Sequence, residues 1–519
     1  MGKAIYIDFS AGSGGSGTFA LPYGGTEGLA VINNYQGQGN AKGQVFAIKA
    51  NGAKLRGAIS LDTATNYRIT SYGSGARAIL DGSKVVAPTF TLNTGTTYTF
   101  PSTFNRQMFA DGVQLLQTAT LADCQATIGT QFWTANTLYV NVGANPATIA
   151  LWESVHSAAN GGINNVFFAA SGDGAIIQDV VFQKSADSVF AVGAWGRGLL
   201  VENVDAKYAG DNTLNGARDA FVIYGSQQTG GSLGLLATAA TEVCLRHCTA
   251  WYSSHNSFEF WGTDHLEVDQ CASNYCDGIE LWGYNTYSKI TRTKIYNAGY
   301  GQWVAKGIIG PSSVPKTETG ILLVKEDNTV AAFRQVGITN TTIEDCEFTS
   351  DTGNGVEFRG GTGTIFRRNK VVSKLGFYNG GSLGGAGATN KSALYAWTAA
   401  GASASVHTEI ADLSNNIFWM QGYDENTTIC YLSTYGSPTA IGQNRAIITA
   451  GDNNYWYSAP NTGNANKPVN GFGLMHAATA AGVDYIPNMA GASNANTPIT
   501  APSGSYWADV AQIYFDTNM

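Results

Sequence analysis

The chain of 519 residues is long enough for a large buried core, but only 13% of its residues are charged and 64 are glycine, a composition that does not suit a helical enzyme. A formal net charge of -8 without a cluster of Lys and Arg argues against a nucleic-acid partner. No segment approaches the ~18 apolar residues of a membrane span, and the N-terminus lacks the apolar region of a signal peptide.

The chain opens with strand-like runs of Ile, Val, Phe and Tyr that are separated by Gly, Asn, Thr and Ser, a pattern that predicts an all-β protein with tight turns. The runs are AIYIDFSAGSGGSGTFALPYGG, GQVFAIKANGAKLRGAISL and YRITSYGSGARAILDGS. They resemble the opening of right-handed β-helix proteins of the pectate-lyase-like superfamily, and the resemblance extends over most of residues 1–460. It implies a cap with the first coils over residues 1–87. Relatives carry more Asp and Asn after the position of Asp8, so no ion-binding role is expected there.

Residues 88–150 interrupt this pattern and are predicted to form an inserted β-rich module, to which the sequence assigns no role.

A repeat begins near residue 163 and continues to about residue 420. Equivalent positions are spaced 22 to 24 residues apart where no insertion intervenes. They include Asp179 and Asn203, then His247, Gln270 and Arg292, then Asp345 and Arg368. A fixed period of about 23 residues predicts stacked coils, which with the resemblance gives a right-handed parallel β-helix over residues 151–460. Longer gaps at 226–240, 301–336 and 375–410 are predicted loop insertions that could wall a binding site.

Three of the seven cysteines, Cys248, Cys271 and Cys346, share a repeat position with Val180 and Val204. This position is predicted to point inward, where a small side chain stacks well at the ~4.8 Å spacing of neighbouring coils. A disulfide between Cys248 and Cys271 is sterically conceivable, but we expect reduced thiols in the core. No cysteine shows metal-ligand spacing with histidine, so no metal and no cofactor is expected.

One strand pattern that recurs in the repeat ends on glycine and carries one glutamate at a fixed position. Glu259, Glu280 and Glu357 each lie three residues before the terminal glycine. Their apolar neighbours alternate with them, which predicts an acidic ladder that faces solvent. Glu259 and Glu280 belong to consecutive coils, so their Cβ atoms should lie ~5 Å apart, and like charges at that distance raise one of the two pKa values.

A second polar position lies three residues earlier and is occupied by Asp219, Asn256, Asp277 and Asn354, with Arg218 and His255 beside it. Trp and Tyr residues flank both positions, and carboxylates between aromatic faces are typical of a sugar site. Plainer interpretations remain open. The glutamates could be a solvated face, the Asp and Asn residues could serve turns, and the tryptophans could be a structural stack.

Members of the superfamily include polysaccharide lyases, glycoside hydrolases and phage tailspikes, so the resemblance implies a carbohydrate-active protein. The first hypothesis is a depolymerase that hydrolyses glycosidic bonds of a bacterial surface polysaccharide, with Glu259 and Glu280 as acid and base or nucleophile. Asp219, Asp277 and His255 complete the predicted catalytic set. Predicted substrate contacts are Trp261, Trp282, Arg218, Tyr252, Tyr284, Glu357 and Arg359.

Two alternatives keep the fold and change the activity. In the first, a lyase performs β-elimination on a uronic acid with His255 or a tyrosine as base, while Arg218 neutralises the substrate carboxylate. In the second, a virion or surface protein binds glycans without cleaving them. Residues 461–519 contain Pro- and Ala-rich turns and few strand-like runs, and they are predicted to form a C-terminal cap or tail. The resemblance to tailspikes implies a homotrimer in a phage tail, made in the host cytoplasm, and a secreted enzyme is the alternative.

Overall fold

The computed structural model describes residues 4–37, 40–62, 64–149, 151–156, 162–195, 197–210, 218–225, 240–298, 322–325, 338–350, 355–374, 394–397, 408–423, 430–433, 446–448, 454–460 and 472–473. The predicted tail at 461–519 lies outside these ranges except for Phe472–Gly473. Among the described residues, no helix combines the length and the apolar character that a membrane crossing requires.

The first elements begin the solenoid, because their strands pair in parallel with one another and with the strands of the later coils. They are β1 (Ala4–Asp8), β2 (Tyr23–Gly24), α1 (Gly25–Asn33), β3 (Asn40–Lys49), β4 (Lys54–Arg56), β5 (Ile59–Ser60), β6 (Thr65–Tyr72) and β7 (Ala78–Asp81). Helix α1 closes the core by burying Ile32 in it. At Gly28 an added Cβ would lie 2.4 Å from Cγ2 of Ile7, so the helix packs on β1 at a distance that only glycine permits.

A small module follows these elements and has its own apolar core. Its elements are β8 (Lys84–Val85), β9 (Thr91–Thr94), β10 (Thr97–Pro101), β11 (Gln107–Ala110), β12 (Val113–Gln114), β13 (Leu116–Gln117), α2 (Leu121–Ala126), β14 (Thr130–Thr134), β15 (Thr137–Asn141), a 3-10 turn (Pro146–Thr148) and β16 (Trp152–Val155). They form a five-stranded and a four-stranded sheet around Phe100, Met108, Leu138 and Val140.

The remaining strands continue the coils. They are β17 (Phe167–Ser171), β18 (Ile176–Gln178), β19 (Val180–Ser185), β20 (Phe190–Trp195), β21 (Leu200–Glu202), β22 (Asp205–Ala209), β23 (Phe221–Tyr224), β24 (Ala240–Thr241), β25 (Cys244–Arg246), β26 (Thr249–Ser253), β27 (Phe258–Asp264), β28 (Glu267–Asp269), β29 (Ala272–Asn274), β30 (Ile279–Thr286), β31 (Lys289–Thr291), β32 (Lys294–Ala298), β33 (Leu322–Lys325), β34 (Ile338–Thr339), β35 (Thr342–Glu344), β36 (Glu347–Ser350), β37 (Val356–Arg359), β38 (Gly361–Arg367), β39 (Lys370–Lys374), β40 (Leu394–Trp397), β41 (Thr408–Ser414), β42 (Ile417–Tyr423), β43 (Cys430–Ser433), β44 (Ala446–Ile448), β45 (Tyr455–Pro460) and β46 (Phe472–Gly473).

Each coil contributes one strand to each of three parallel faces, as in the series β25, β26 and β27. On the first face β25 pairs with β28, on the second β26 pairs with β29, and on the third β27 pairs with β30. All three pairings are parallel and in register, and parallel crossovers wind in the right-handed sense. The protein is therefore a right-handed parallel β-helix, as the sequence predicts.

The residues that mark the repeat in the sequence occupy one turn in the structure. Their φ angles lie between 49° and 59°, a left-handed conformation that aligns the chain for the next face. They are Asp179, Asn203, His247, Gln270, Arg292, Asp345 and Arg368. The N–H of His247 donates to the carbonyl of Asp269 at 3.1 Å, so each turn is bonded to the next coil.

The position after this turn points into the core and holds Val180, Val204, Cys248, Cys271 and Cys346, all at most 2% exposed. The prediction of buried thiols is confirmed, and the six cysteines whose side chains are described are free. Further along the solenoid the same position holds Asn369, Asn416 and Asn454. Each asparagine Oδ1 accepts the N–H of the preceding coil's residue at 2.9 to 3.0 Å, which satisfies buried backbone donors.

The module is joined to the solenoid by buried charges. Glu153 of β16 accepts hydrogen bonds from Lys184 of β19 and from Lys54 and Arg56 of β4. Glu153 is fully buried and Lys184 is 2% exposed, and the Lys184 ammonium lies 4.2 Å from the ring centre of Phe109 in the module. Burial raises the cost of ionisation, but the two lysines lower the pKa of Glu153 below its ordinary value.

Candidate functional site

The predicted acidic residues meet where the chain turns from the second face to the third. Asp219 precedes β23, Asn256 precedes β27, and Asp277 precedes β30. The N–H of Ala220 donates to the carbonyl of Asn256 at 3.0 Å, and the N–H of Asp277 donates to the carbonyl of His255 at 2.8 Å. The turns of three successive coils are thus stacked, and their polar side chains lie close together.

The register of the third face confirms the predicted glutamate position. Glu259 on β27 pairs directly with Glu280 on β30. Glu280 then pairs with Leu323, and Leu323 pairs with Glu357. Glu357 therefore lies two coils beyond Glu280, so Glu259 and Glu280 form an isolated adjacent pair rather than part of a continuous acidic ladder.

The prediction that these glutamates face solvent is wrong. Phe258 and Phe260 point into the core as predicted, so the glutamates point away from it, but Glu259 is 5%, Glu280 3% and Glu357 0% exposed. Strand alternation determines the side of the strand on which a residue lies. It does not determine whether that side is open to solvent.

Asp219 links Glu259 to His255. Its Oδ1 lies 2.9 Å from Nδ1 of His255 and accepts the backbone N–H of Asn256 at 3.0 Å. Asp219 also shares a hydrogen bond with the Glu259 carboxyl group. His255, which by default would be a surface residue, is only 18% exposed along its side chain and belongs to this cluster.

The environment raises the pKa values of both Glu259 and His255. Burial raises the pKa of Glu259 well above its ordinary value, and the charges of Asp219 and Glu280 raise it further. Burial lowers the pKa of His255, but the nearby carboxylates outweigh it and bring the pKa to about 9. The surroundings of Glu259 therefore favour its protonated form, while a pKa of about 9 makes His255 an imidazolium at neutral pH beside the Asp219 carboxylate.

Glu280 has a different partner. The side-chain amide Nδ2 of Asn256 donates to Oε2 of Glu280 at 2.7 Å. An amide N–H stabilises an ionised carboxylate, which only accepts hydrogen bonds. The two glutamates of the pair therefore have different surroundings. Different surroundings can separate the pKa values of two residues of the same type, so that one can serve as an acid and the other as a base. The turn position of Asn256 was predicted, but its role as a donor was not.

Trp261 and Trp282 pair across adjacent coils, with ring centres 3.7 Å apart. Trp261 also donates its indole N–H to Oε1 of Glu259. Trp261 is therefore a hydrogen-bond partner of the acid as well as one wall of the site. Its place two residues after Glu259 signals this contact, because residues i and i+2 lie on the same side of a strand. The ring centre of Tyr224 lies 6.0 Å from that of Trp261.

Tyr252 lies in a different environment from the one predicted. Its ring stacks between those of Tyr208 and Tyr275, at 5.2 and 5.1 Å with interplanar angles of 1° and 10°. Because both ring faces are covered, neither is free to stack on a sugar, and we omit Tyr252 from the site proposed below.

The other predicted substrate contacts are only partly placed. Arg218 forms an ion pair with Asp187 at 3.2 Å, and both side chains are 39% exposed. Arg359 follows Trp282 and Lys325 in one column of paired residues, and Tyr284 lies on β30. The side chains of Tyr284 and Arg359 lie outside the part of the chain that the structure describes.

One ligand atom each from Asp219, His255 and Glu259 lies within 4.8 Å of the others, a spacing that a metal ion could bridge. Hydrogen bonds among the three groups already account for this convergence, so we assign no metal to them. At the end of β1, Asp8 accepts hydrogen bonds from Ser10, Lys49 and Asn51. Burial opposes its ionisation, but these donors lower its pKa to about 2, so its oxygens serve these contacts.

No protein-family model and no curated protein sequence matches the chain. Solved structures resemble it in architecture at low identity. A GH136 lacto-N-biosidase from Eubacterium ramulus is 10% identical with a TM-score of 0.44, covering 95% of this chain and 68% of that one. The tailspike protein gp49 from Pseudomonas phage LKA1 is 11% identical with a TM-score of 0.30, covering 90% and 75%. An alginate lyase from Paenibacillus sp. str. FPU-7 is 10% identical with a TM-score of 0.26, covering 88% and 94%. Because identity this low bears on the fold alone, the side chains of the site are the basis for any functional proposal.

Proposed function

We propose that this protein is a polysaccharide depolymerase that hydrolyses glycosidic bonds. The observation that carries the proposal is the buried pair Glu259 and Glu280, in which burial and neighbouring charges raise the pKa of one carboxyl group and the other accepts an amide hydrogen bond. Glycoside hydrolysis requires one carboxylic acid and one carboxylate on either side of the scissile bond. The polysaccharide as substrate is what the resemblance to the pectate-lyase-like superfamily implies.

In the proposed reaction Glu259 donates its proton to the glycosidic oxygen as the bond from that oxygen to the anomeric carbon breaks. Glu280 acts as base on the attacking water or as nucleophile at the anomeric carbon. Asp219 holds the proton of Glu259 in place through their shared hydrogen bond, and His255 compensates the charge of Asp219. Trp261 and Trp282 form the apolar wall beside the acid.

The lyase alternative is less well supported by the same groups. An elimination base has to take a proton from the sugar, but a His255 pKa of about 9 leaves the imidazole protonated at neutral pH. Burial and the neighbouring carboxylates also raise the pKa of Tyr224, which makes it a poor base. Arg218, the predicted partner of a uronate, forms an ion pair with Asp187.

We also propose, from the resemblance to tailspikes, that the protein is a homotrimer of a phage tail and acts on a bacterial capsule or O-antigen. Its mass in solution, measured by light scattering, should be three times that of the chain. A monomer would remove the support for this assembly without affecting the proposed chemistry.

The activity is tested with a panel of capsule and O-antigen polysaccharides. Hydrolysis releases reducing ends without the ultraviolet absorbance of an unsaturated sugar, whereas a lyase produces that absorbance. Glu259→Gln and Glu280→Gln should each lower kcat by about 10²–10⁴-fold. Glu267→Gln is the matched control, because Glu267 lies on the first face, is 39% exposed and pairs with Arg246. Full activity in the double variant would contradict the proposed site, and binding without cleavage would contradict the proposed reaction.

A further inference from the structure

Asn256 is a buried residue that contacts Asp219 of the preceding coil and Glu280 of the following one. It is 0% exposed and stands in the stacked position that holds Asp219 in the preceding coil and Asp277 in the following one. It is thus an amide in a position where both neighbouring coils place a carboxylate.

The contacts of Asn256 run in both directions along the solenoid. Its backbone N–H donates to Oδ1 of Asp219 at 3.0 Å, toward the preceding coil. Its side-chain Nδ2 donates to Oε2 of Glu280 at 2.7 Å, in the following coil. Nδ2 also lies 3.1 Å from Nδ1 of His255. The hydrogen bond to Glu280 favours the ionised form of that carboxyl group.

The orientation of the Asn256 side-chain amide leaves one buried polar atom without a hydrogen bond. Its Oδ1 is buried and accepts no hydrogen bond from any described residue. Glu280 accepts at this position, so the amide has to present Nδ2 to it, and Oδ1 is left on the other side. Buried polar atoms without partners are uncommon because each one costs free energy. The orientation that provides the bond to Glu280 therefore leaves Oδ1 without one.

We propose that Asn256 is the positioning residue that divides the roles of the glutamate pair, by keeping Glu280 as the carboxylate that faces the acid Glu259. An aspartate at this position, as in the two neighbouring coils, would bring a further negative charge against Glu280 and oppose its ionisation. The division of catalytic roles depends on the proposed function, whereas the effect of the amide on Glu280 is a property of the folded protein alone.

The experiment measures ionisation directly, so it needs no substrate. The protein is labelled with ¹³C at the glutamate carboxyl carbons, and the Glu280 signal is identified by its loss in Glu280→Gln. In Asn256→Ala the Glu280 signal should titrate at a pH higher by about one unit, because a hydrogen bond to the ionised form is lost. In the isosteric Asn256→Asp the displacement should be larger, because a repelling charge replaces the donor.

Asn285→Ala is the matched control. Asn285 is also fully buried and also joins β27 to β30, but its amide binds the carbonyls of Phe260 and Trp282 and the N–H of Thr263. Its loss should lower stability and leave the Glu280 titration unchanged. An unchanged titration in both Asn256 variants would overturn the inference.

The same variants separate this inference from the proposed function. On a cleaved polysaccharide, Asn256→Asp should lower kcat more than it changes KM and should move the acidic limb of the pH–rate profile to higher pH. If the Glu280 signal is displaced but no polysaccharide is cleaved, the proposed function fails and the effect of Asn256 on Glu280 stands. If a polysaccharide is cleaved and the Glu280 signal is not displaced, the proposed function stands and the inference about Asn256 fails.

Discussion

The interaction of His255 with the surrounding carboxylates should make the stability of the protein depend on pH, and His255→Gln should remove that dependence. The pKa of His255 is about 9 in the folded protein against an ordinary value of 6.5, a difference of roughly 2.5 units. At about 1.4 kcal/mol per unit this corresponds to about 3 kcal/mol. Because the folded pKa is the higher one, the contribution is fully present below pH 6.5 and is lost as the pH rises through about 9.

Denaturant unfolding at about pH 6 and about pH 10 measures the effect, as the difference in unfolding free energy between wild type and His255→Gln. The difference should be larger by about 3 kcal/mol at the lower pH. Subtraction of the two proteins cancels the titration of thiols and tyrosines in this range. His265→Gln is the control, because His265 is 61% exposed and its ion pair with Asp264 at 3.0 Å is screened by solvent. A His255 ring signal that titrates near 6.5 would refute the reasoning.

Three further predictions concern the solenoid and the module. Glu153→Gln leaves Lys184 buried without its nearest carboxylate and should lower the free energy of unfolding by about 3–5 kcal/mol, measured by denaturant titration. Asn416→Ala breaks the asparagine column in both directions and should lower the melting temperature, at a cost of about 2–3 kcal/mol. Tyr252→Ala removes two stacked ring pairs worth about 1–3 kcal/mol together and should leave KM unchanged, whereas a raised KM would return Tyr252 to the substrate site.

The register of the β-helix could be predicted because its turn imposes a strict local requirement. The residues counted in the sequence, such as Asn203, His247 and Gln270, are the ones that adopt positive φ, and each is followed by an inward side chain. Once that phase was known, the pairing of Glu259 with Glu280 followed from their common offset, and the structure confirms it. Periodicity suffices for such statements because every coil repeats the same geometry.

The surroundings of the site could not be predicted in the same way. Burial of Glu259 and the choice of Asn256 as donor to Glu280 depend on side-chain contacts between coils, which the period does not specify. The stack of Tyr208 and Tyr252 did have a signal in the sequence, since both lie five residues after a positive-φ turn residue. The insertion at 226–240 separates them, so the common offset is visible only when it is counted from the turn.

The glutamate column contains only two stacked acids, which explains why the parallel sheet tolerates them. The column reads Val222, Glu259, Glu280 and Leu323, so an apolar residue bounds the pair on each side. A longer run of stacked glutamates would add repulsion at every step. With only two, one retained proton would relieve the repulsion, and the surroundings favour it on Glu259, because Asp219 raises the pKa of that glutamate while Asn256 donates to the other. Identical residues in identical strand positions thus acquire different chemistry from the coils on either side of them.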